Sequence, residues 1–497
     1  MTDYILSIDQ GTTSTRAIIF DKYAKRCAVH QLNLKQYYPH DGWVEHDPEE
    51  IWQATQQCCR EVIPKAGLVS SDISAMGISN QRETTVVWNK HTGKAVHYAI
   101  VWQDRRTAQL CKQLGEDAAL CKMISEKTGL LIDPYFCATK IKWLLDTIPD
   151  AREFAENGSL LFGTIDTYLL WKLTKGHVHA TDATNASRTL LFNIHTQQWD
   201  DELLALFNIP PAMLPEVKDS NAHFGETDPA LFGADIPITG IAGDQQAATI
   251  GQVCFREGMI KSTYGTGCFV MLNTGSKPIR SSQRLLTTIA YRLDGHVTYA
   301  LEGSVFIAGA AIQWLRDVLH FFQKASDTET LAQSVDSTHG VYFVPAFTGL
   351  GAPHWDPLAR GAIFGLTRDT GVADIVRAAL EAVCYQTYDL LEALKTDYMG
   401  QLETLRVDGG MTANSWLIQL LSNVLALPVE RAEYIETSAL GAAYLAGLGA
   451  GIYKSLDDIT THWQFDVRYE PQLASEERNQ LLNGWHDAVK RVIVGSL

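Results

Sequence analysis

At 497 residues the chain is too long for one hydrophobic core and fits two domains of roughly 250 residues each. Apolar residues make up 46% and charged residues 20%, a globular mixture that excludes a disordered chain. The formal charge of −16 argues against a nucleic-acid or anionic-membrane surface, because those need clustered Lys and Arg.

The chain opens with an apolar strand, a turn of Gly, Thr and Ser, and a returning strand, Ile5 to Phe20. This is a β-hairpin whose tip, Asp9 to Arg16, gathers backbone N–H groups and hydroxyls that can cradle anionic oxygens. Asp47, Pro48 and Glu50 mark a helix start, with Asp as N-cap, Pro at the first helical position and Glu at N3. Ile51, Trp52, Thr55, Cys59 and Val62 follow on one face of that helix. A short strand, Ile73 to Ile78, then ends at Ser-Asn-Gln-Arg-Glu and leaves Arg82 and Glu83 just beyond its carboxyl end, where open α/β sheets bind ligands. The alternative for this pair is a surface salt bridge. Val86 to Trp88, with a turn at Lys90 to Gly93, reads as further strand. Asp219 to Pro237 is polar and irregular, and the next strand, Ile238 to Ala242, runs into Gly243-Asp244-Gln245. A domain boundary is expected near residue 250, dividing residues 1–250 from 251–497.

The second half repeats the opening. Met259 to Leu272 is again strand, Gly/Thr turn and strand, with its tip at Tyr264 to Gly267. Phe306 to Val318 is helix-like, and the longest weakly polar run, Ser304 to Leu315, is too short to span a bilayer and contains Gln313. Leu405 to Gly410 is a strand meeting two glycines before a helix expected over Thr412 to Leu425. The Ala/Gly-rich run Ser438 to Leu448 reads as a closely packed helix, and Gly447-x-Gly-x-Gly451 as its end and turn. A terminal amphipathic helix, capped by Ser475, carries the stripe Leu481, Leu482, Trp485, Val489 and Val492, either core or an oligomer contact. The nine cysteines include no Cys-x-x-Cys, and the N-terminus has no basic region, so reduced thiols in a cytoplasmic protein without membrane insertion are expected. Neither a Gly-x-x-x-x-Gly-Lys-Ser/Thr loop nor a His-Arg-Asp catalytic loop occurs, which argues against a P-loop enzyme or a protein kinase. Two hairpins with phosphate-sized turns, one per half, suggest a nucleotide held in a cleft between two similar lobes.

The combination of Asp9–Arg16, Tyr264–Gly267 and Val407–Asn414 resembles the two phosphate loops and the adenosine loop of the actin, hexokinase and Hsp70 superfamily. Within it, Met76–Trp88, Trp102–Arg106, Asp133–Phe136 with Thr139–Trp143, Gly243–Ala248, Gly349–Asp356 and Gly365–Arg368 leading to Glu381 are similar to the FGGY carbohydrate kinases, and among these to the glycerol-phosphorylating members. These blocks run from residue 5 to about residue 450 and are highly specific as a set. The resemblance implies an α/β fold of two ribonuclease H-like (actin-like ATPase) lobes around an interlobe active-site cleft. It also implies ATP and Mg²⁺, the small-molecule substrate glycerol, and a homodimer or homotetramer. A kinase for another sugar or polyol of the family, or an ATPase serving as a binding module, is the rival reading.

An uncharged polyol must be recognised through its hydroxyls, which discriminate well when each buried partner would otherwise be left unpaired. Arg82 offers rigid donors and Glu83 an acceptor, so neighbouring hydroxyls can be bridged. On the matching positions the resemblance assigns glycerol to Arg82, Glu83, Tyr135, Asp244 and Gln245, with Trp102 and Phe269 over its C–H face. Asp244 is the candidate general base for the attacking hydroxyl. Thr12, Thr13, Ser14 and Arg16 would contact the terminal phosphates from one lobe and Thr266 from the other. Gly309, Gln313, Gly410 and Asn414 match positions around ribose, phosphate and adenine. Arg16 either swings toward the transferred phosphoryl group or is a solvated residue after a hairpin. Asp9, with Asp244, would hold Mg²⁺ directly or through water; the alternative is an Asp capping its own turn.

One departure concerns regulation. Many bacterial relatives carry, before the strand leading to the catalytic Asp, a Gly- and Arg-containing loop for a sugar bisphosphate inhibitor or a His phosphorylated by the sugar-transport phosphocarrier. Here that place reads Asp228 to Pro237 and holds neither, while His223 lies several residues too early. Weak or absent inhibition by fructose 1,6-bisphosphate is therefore expected.

Overall fold

A computed structural model of the chain describes residues 3–356 and 358–494. Two mixed sheets share one plan. The first runs Gly225–Glu226, Pro237–Gly243, Ile73–Asn80, Tyr4–Gln10, Ser14–Asp21, Arg26–Asn33. The second runs Leu286–Leu293, His296–Val305, Cys268–Gly275, Ile260–Tyr264, Leu405–Asp408, Val429–Ala432, Phe465–Tyr469. In each, the opening strand of a hairpin pairs antiparallel with its return strand and parallel with the next strand of the sheet. A further parallel strand follows: Pro237–Gly243 in the first sheet, Val429–Ala432 in the second. The fold is thus mixed α/β in two domains of like topology.

Tyr4–Gln10 is apolar on both faces because both faces are covered. Leu6 and Ile8 enter the core under helix Pro48–Lys65, whereas Ile5 packs toward helix Thr437–Gly449. The first of these helices starts as its sequence dictates, with the Asp47 carboxylate accepting from Glu49 N at 2.9 Å and Pro48 at the first position.

Helix Thr437–Gly449 belongs to the second half in sequence but lies on the first sheet and on helix Asp244–Gly251. A Cβ on Gly441 would stand 1.7 Å from the Ala247 carbonyl oxygen, so only glycine permits this approach. The Ala/Gly composition therefore reports a seam between halves, pinned by Ser7 Oγ donating to Ala439 O at 2.6 Å and Thr239 Oγ1 donating to Ala446 O at 2.9 Å.

Several elements differ from the sequence reading. The helix expected from Thr412 begins at Ser415, because Gly410–Ala413 forms a 3₁₀ turn and Asn414 Oδ1 caps the helix by accepting from Leu417 N at 2.9 Å. The helix expected over 306–318 is Gly309–Asp317. Ser475 is the first residue of helix Ser475–Val494, and the Leu482, Trp485, Val489 and Val492 stripe is buried in the second core, with Leu481 packed against it. That stripe is core. The nine cysteines are free, all buried but Cys27 and Cys121. Among the described residues no helix is long and apolar enough to cross a membrane.

Candidate active site

The two hairpin turns face each other. Gly11 N donates to Ser14 O at 2.9 Å to close the first, and Gly265 N donates to Gly267 O at 2.9 Å to close the second. Between them lie two adjoining cavities, of about 310 Å³ and about 570 Å³, which share Thr13, Gly265, Thr266 and Gln313 as lining. Arg82, Glu83, Trp102, Tyr135, Asp244, Gln245, Phe269 and Thr12 all line the first. Arg16, Gly309, Gly410 and Asn414 join the shared residues around the second. Ser14 is set back, buried in its strand opposite Asn33. Asp9 also lies behind the wall, with its side chain 12% exposed.

In the smaller cavity, strand Ile73–Asn80 ends by pairing Gln81 N with Gln10 O at 2.7 Å. The chain then turns tightly, with Thr84 N donating to Arg82 O at 2.7 Å and Glu83 in the left-handed region at φ 59°. Lys140 Nζ holds this bend by donating to Glu83 O at 2.7 Å and to Tyr135 O at 3.0 Å. Arg82 and Glu83 have side-chain exposures of only 2% and 1%, which excludes a surface salt bridge.

All five N–H donors of Arg82 face an acceptor. Nη1 meets Glu302 Oε2 at 2.5 Å and Gln246 Oε1 at 3.2 Å, and Nη2 meets Glu302 Oε1 at 3.0 Å and Tyr135 Oη at 3.2 Å. Nε stands 3.3 Å from Asp244 Oδ1 and 3.7 Å from Glu83 Oε1. Burial alone would raise the Glu302 carboxyl, but Arg188 and Arg82 outweigh it and hold its pKa at about 2. Burial wins at Glu83, whose carboxyl is lifted above the ordinary range against Arg82 and Arg188. Glu302 is therefore the committed counter-ion, and Glu83 the acceptor whose charge is less well compensated.

The apolar side is an aromatic corner. Trp102 meets Tyr135 edge-on at 5.8 Å and Phe269 at 6.0 Å, and Trp102 Nε1 donates to Thr12 Oγ1 at 2.9 Å, tying the corner to the first turn.

Asp244 opens helix Asp244–Gly251, where the helix dipole favours a carboxylate, and its Oδ1 accepts from Gln245 N at 2.8 Å. Burial lifts its pKa; Arg82 and Lys261 pull against that, and Asp9 adds to it. Asp9 is likewise lifted by burial, opposed by Arg16 and reinforced by Glu436. Arg16 is neither free nor extended to the first cavity: Nη1 lies 3.3 Å from Asp9 Oδ2 and Nε donates to Gln31 Oε1 at 2.8 Å. Two desolvated carboxylates, with Asp9 raising Asp244, are a donor set a divalent cation would relieve. Among the described residues no cluster of three or more His, Cys, Asp or Glu could hold a metal.

Around the larger cavity, helix Gly309–Asp317 is docked on the second turn. Gly309 N donates to Gly265 O at 3.0 Å and Ala310 N to Thr266 O at 3.1 Å, and a Cβ on Gly309 would stand 2.5 Å from that Gly265 oxygen. Asn414 is split between two tasks, capping its helix and donating from Nδ2 to Thr328 Oγ1 at 3.4 Å.

Sequence reading missed Arg188, Glu302 and Lys261, the last donating to Gln245 Oε1 at 2.6 Å. Glu302 carried one usable signal, a lone carboxylate in the apolar strand Tyr299-Ala-Leu-Glu-Gly; Arg188 carried none.

The chain matches the FGGY family of carbohydrate kinases, N-terminal domain, over residues 4–251, and C-terminal domain over residues 260–450. It is 59% identical over 493 residues to the glycerol kinase of Coxiella burnetii, covering 99% of this chain and 98% of that one. It is 58% identical over 495 residues to glycerol kinase 1 of Pseudomonas aeruginosa, covering 99% of each. Among solved structures, Plasmodium falciparum glycerol kinase with ADP superposes with a TM-score of 0.91 at 38% identity, over 99% of this chain and 98% of that one. A gluconate kinase from Lactobacillus acidophilus shares the fold at a TM-score of 0.87 and 23% identity, over 99% and 98% of the two chains.

Proposed function

The chain belongs to the FGGY family of carbohydrate kinases, and from that premise we propose that it transfers the γ-phosphoryl group of ATP to glycerol, forming sn-glycerol 3-phosphate. The observation that carries the reading is the pair of adjoining cavities: one lined by Arg82, Glu83, Asp244 and an aromatic corner, the other by two glycine-bearing turns. Glycerol, rather than another sugar, is supported by the identity to full-length proteins of that name.

Asp244 accepts the proton of the attacking hydroxyl while that oxygen lines up with the γ-phosphorus. Arg82 Nε exchanges its 3.3 Å contact to Asp244, and the Tyr135 hydroxyl its 3.2 Å contact to Arg82 Nη2, for glycerol hydroxyls, and Glu83 accepts from a neighbouring one. Trp102 and Phe269 cover the C–H face and keep water from competing with glycerol as acceptor. Thr12, Thr13 and Thr266 present donors to the terminal phosphates, and Gly309, Gln313, Gly410 and Asn414 surround the rest of the nucleotide. Ser14, one layer back, shapes the turn through its carbonyl. Asp9 and Asp244 would hold Mg²⁺, directly or through water, and when bound it would supply charge neutralisation on the phosphates.

A homodimer or homotetramer working in the cytoplasm, with its division between 1–250 and 251–497, completes the proposal. A coupled assay across a polyol panel tests its centre: glycerol should be turned over. Consumption of ATP with xylulose, gluconate or ribulose but not glycerol would replace it with a sibling sugar kinase.

A further inference from the structure

We propose that Arg188 and Glu302 are positioning residues of the polyol site, setting the guanidinium of Arg82 and the carboxylate of Glu83 at the angle their substrate requires. This rests on the kinase reading above. Neither side chain is exposed, at 0% each, so neither acts by touching solvent-borne substrate directly.

Their reach is nevertheless complete. Glu302 takes Arg82 with both carboxylate oxygens, at 2.5 Å and 3.0 Å, and such a two-point grip fixes the plane of a guanidinium, which one contact would leave free to rotate. With Nη1 and Nη2 gripped by Glu302, Arg82 turns its Nε edge toward Asp244 at 3.3 Å and its Nη2 toward Tyr135 Oη at 3.2 Å, and Tyr135 and Asp244 both line the smaller cavity. Arg188 continues the chain of contacts. Its Nη2 donates to the same Glu302 Oε1 at 3.0 Å and its Nε to Glu83 Oε1 at 2.6 Å, so a hydroxyl is left the other oxygen of Glu83. Its guanidinium carbon also stands 5.6 Å from the centroid of the Tyr135 ring. One buried pair thus bonds Arg82 and Glu83 and approaches the ring of Tyr135, three of the five polar residues assigned to glycerol recognition.

The two partners come from opposite halves of the sequence. Arg188 follows the short helix Ala183–Ala186, and Glu302 lies on strand His296–Val305 of the second sheet. That strand's hairpin is fastened to the first half by Tyr299 Oη donating to Ile194 O at 2.7 Å and by Gln246 Nε2 donating to Ile289 O at 3.2 Å. The substrate-facing geometry of Arg82 therefore depends on a residue 220 positions away.

Arg188 and Glu302 carry opposite charges, so removing either alone changes the charge of the buried network by one unit, whereas removing both together leaves its balance unchanged. The test is steady-state kinetics and thermal melting of the full chain carrying Glu302→Gln, Arg188→Gln, both together, and Glu302→Asp. The double variant should melt close to wild type, yet show a KM for glycerol raised at least about tenfold with KM for ATP changed less than about threefold. Glu302→Asp, which keeps the charge and shortens the reach, should raise KM for glycerol by about threefold or more, and decides the matter if the double variant fails to fold. A folded double variant or Glu302→Asp protein with wild-type KM for glycerol would overturn the proposal, as would equal rises in both KM values. Wild type is assayed first: if it phosphorylates a different polyol, the kinase reading is corrected there, and the variants are measured with that polyol.

Discussion

At Asp244 the influences on one carboxyl can be ranked. Burial comes first and lifts its pKa, the cations Arg82 and Lys261 resist, and Asp9 adds repulsion, leaving a carboxyl that titrates closer to working pH than a free aspartate, as the proposed base requires. Asp244→Asn should lower kcat by roughly 10²–10⁴-fold while glycerol binding, measured by calorimetry, changes far less. In wild type, kcat should fall on the acid side as pH drops through the raised pKa, since the protonated form accepts nothing; a variant keeping wild-type kcat would remove Asp244 from the chemistry. Glu302 carries a stability prediction with a definite sign. Its pKa is depressed from 4.5 to about 2, so its contribution is present above pH 4.5 and lost as pH falls through 2. Acid unfolding followed by circular dichroism should be steeper in this window for wild type than for the Arg188→Gln/Glu302→Gln protein; coincident curves would contradict it. Arg82, Glu83 and Asp244 were legible in the sequence because each sits at the carboxyl end of a strand, a local feature. Arg188 and Glu302 were not, because their meaning lies in contacts across 105 to 220 residues.

At the scale of elements, the seam helix Thr437–Gly449 is held by backbone approach and not by side-chain bulk. Gly441→Ala places a Cβ 1.7 Å from a carbonyl oxygen that belongs to helix Asp244–Gly251, so backbone must move. The expected cost is about 1–3 kcal/mol, read as a lowered melting midpoint, together with reduced turnover because the displaced helix carries Asp244. An unchanged midpoint would show that the seam is looser than its geometry. The two hairpins were readable because apolar strands buried on both faces bracket turns of Gly, Thr and Ser. Strand Arg26–Asn33 was not, since as an edge strand it exposes Arg26, Cys27, Gln31 and Asn33 and lacks an apolar signature. Helix Val372–Asp397 escaped for the opposite reason. So many of its positions are buried, from Val376 to Leu394, that no single apolar stripe marks it.

For the whole molecule, a chain of net charge −16 must gather triphosphate by local donors, and the structure concentrates these at two turns of matching origin. In the segment before the strand to Asp244, Asp228 caps the short helix Pro229–Phe232 and pairs with Lys175 at 3.1 Å, so the stretch presents a satisfied carboxylate. Turnover should be insensitive to millimolar fructose 1,6-bisphosphate, and a clear drop would contradict this. The most direct measurement of the whole account is a crystal structure with glycerol and a non-hydrolysable ATP analogue. It should place a terminal glycerol hydroxyl about 3 Å from the Asp244 carboxylate, in line with a γ-phosphate held between Thr12–Thr13 and Thr266. Glycerol bound away from Arg82 and Glu83, or a triphosphate that contacts only one of the two turns, would contradict it.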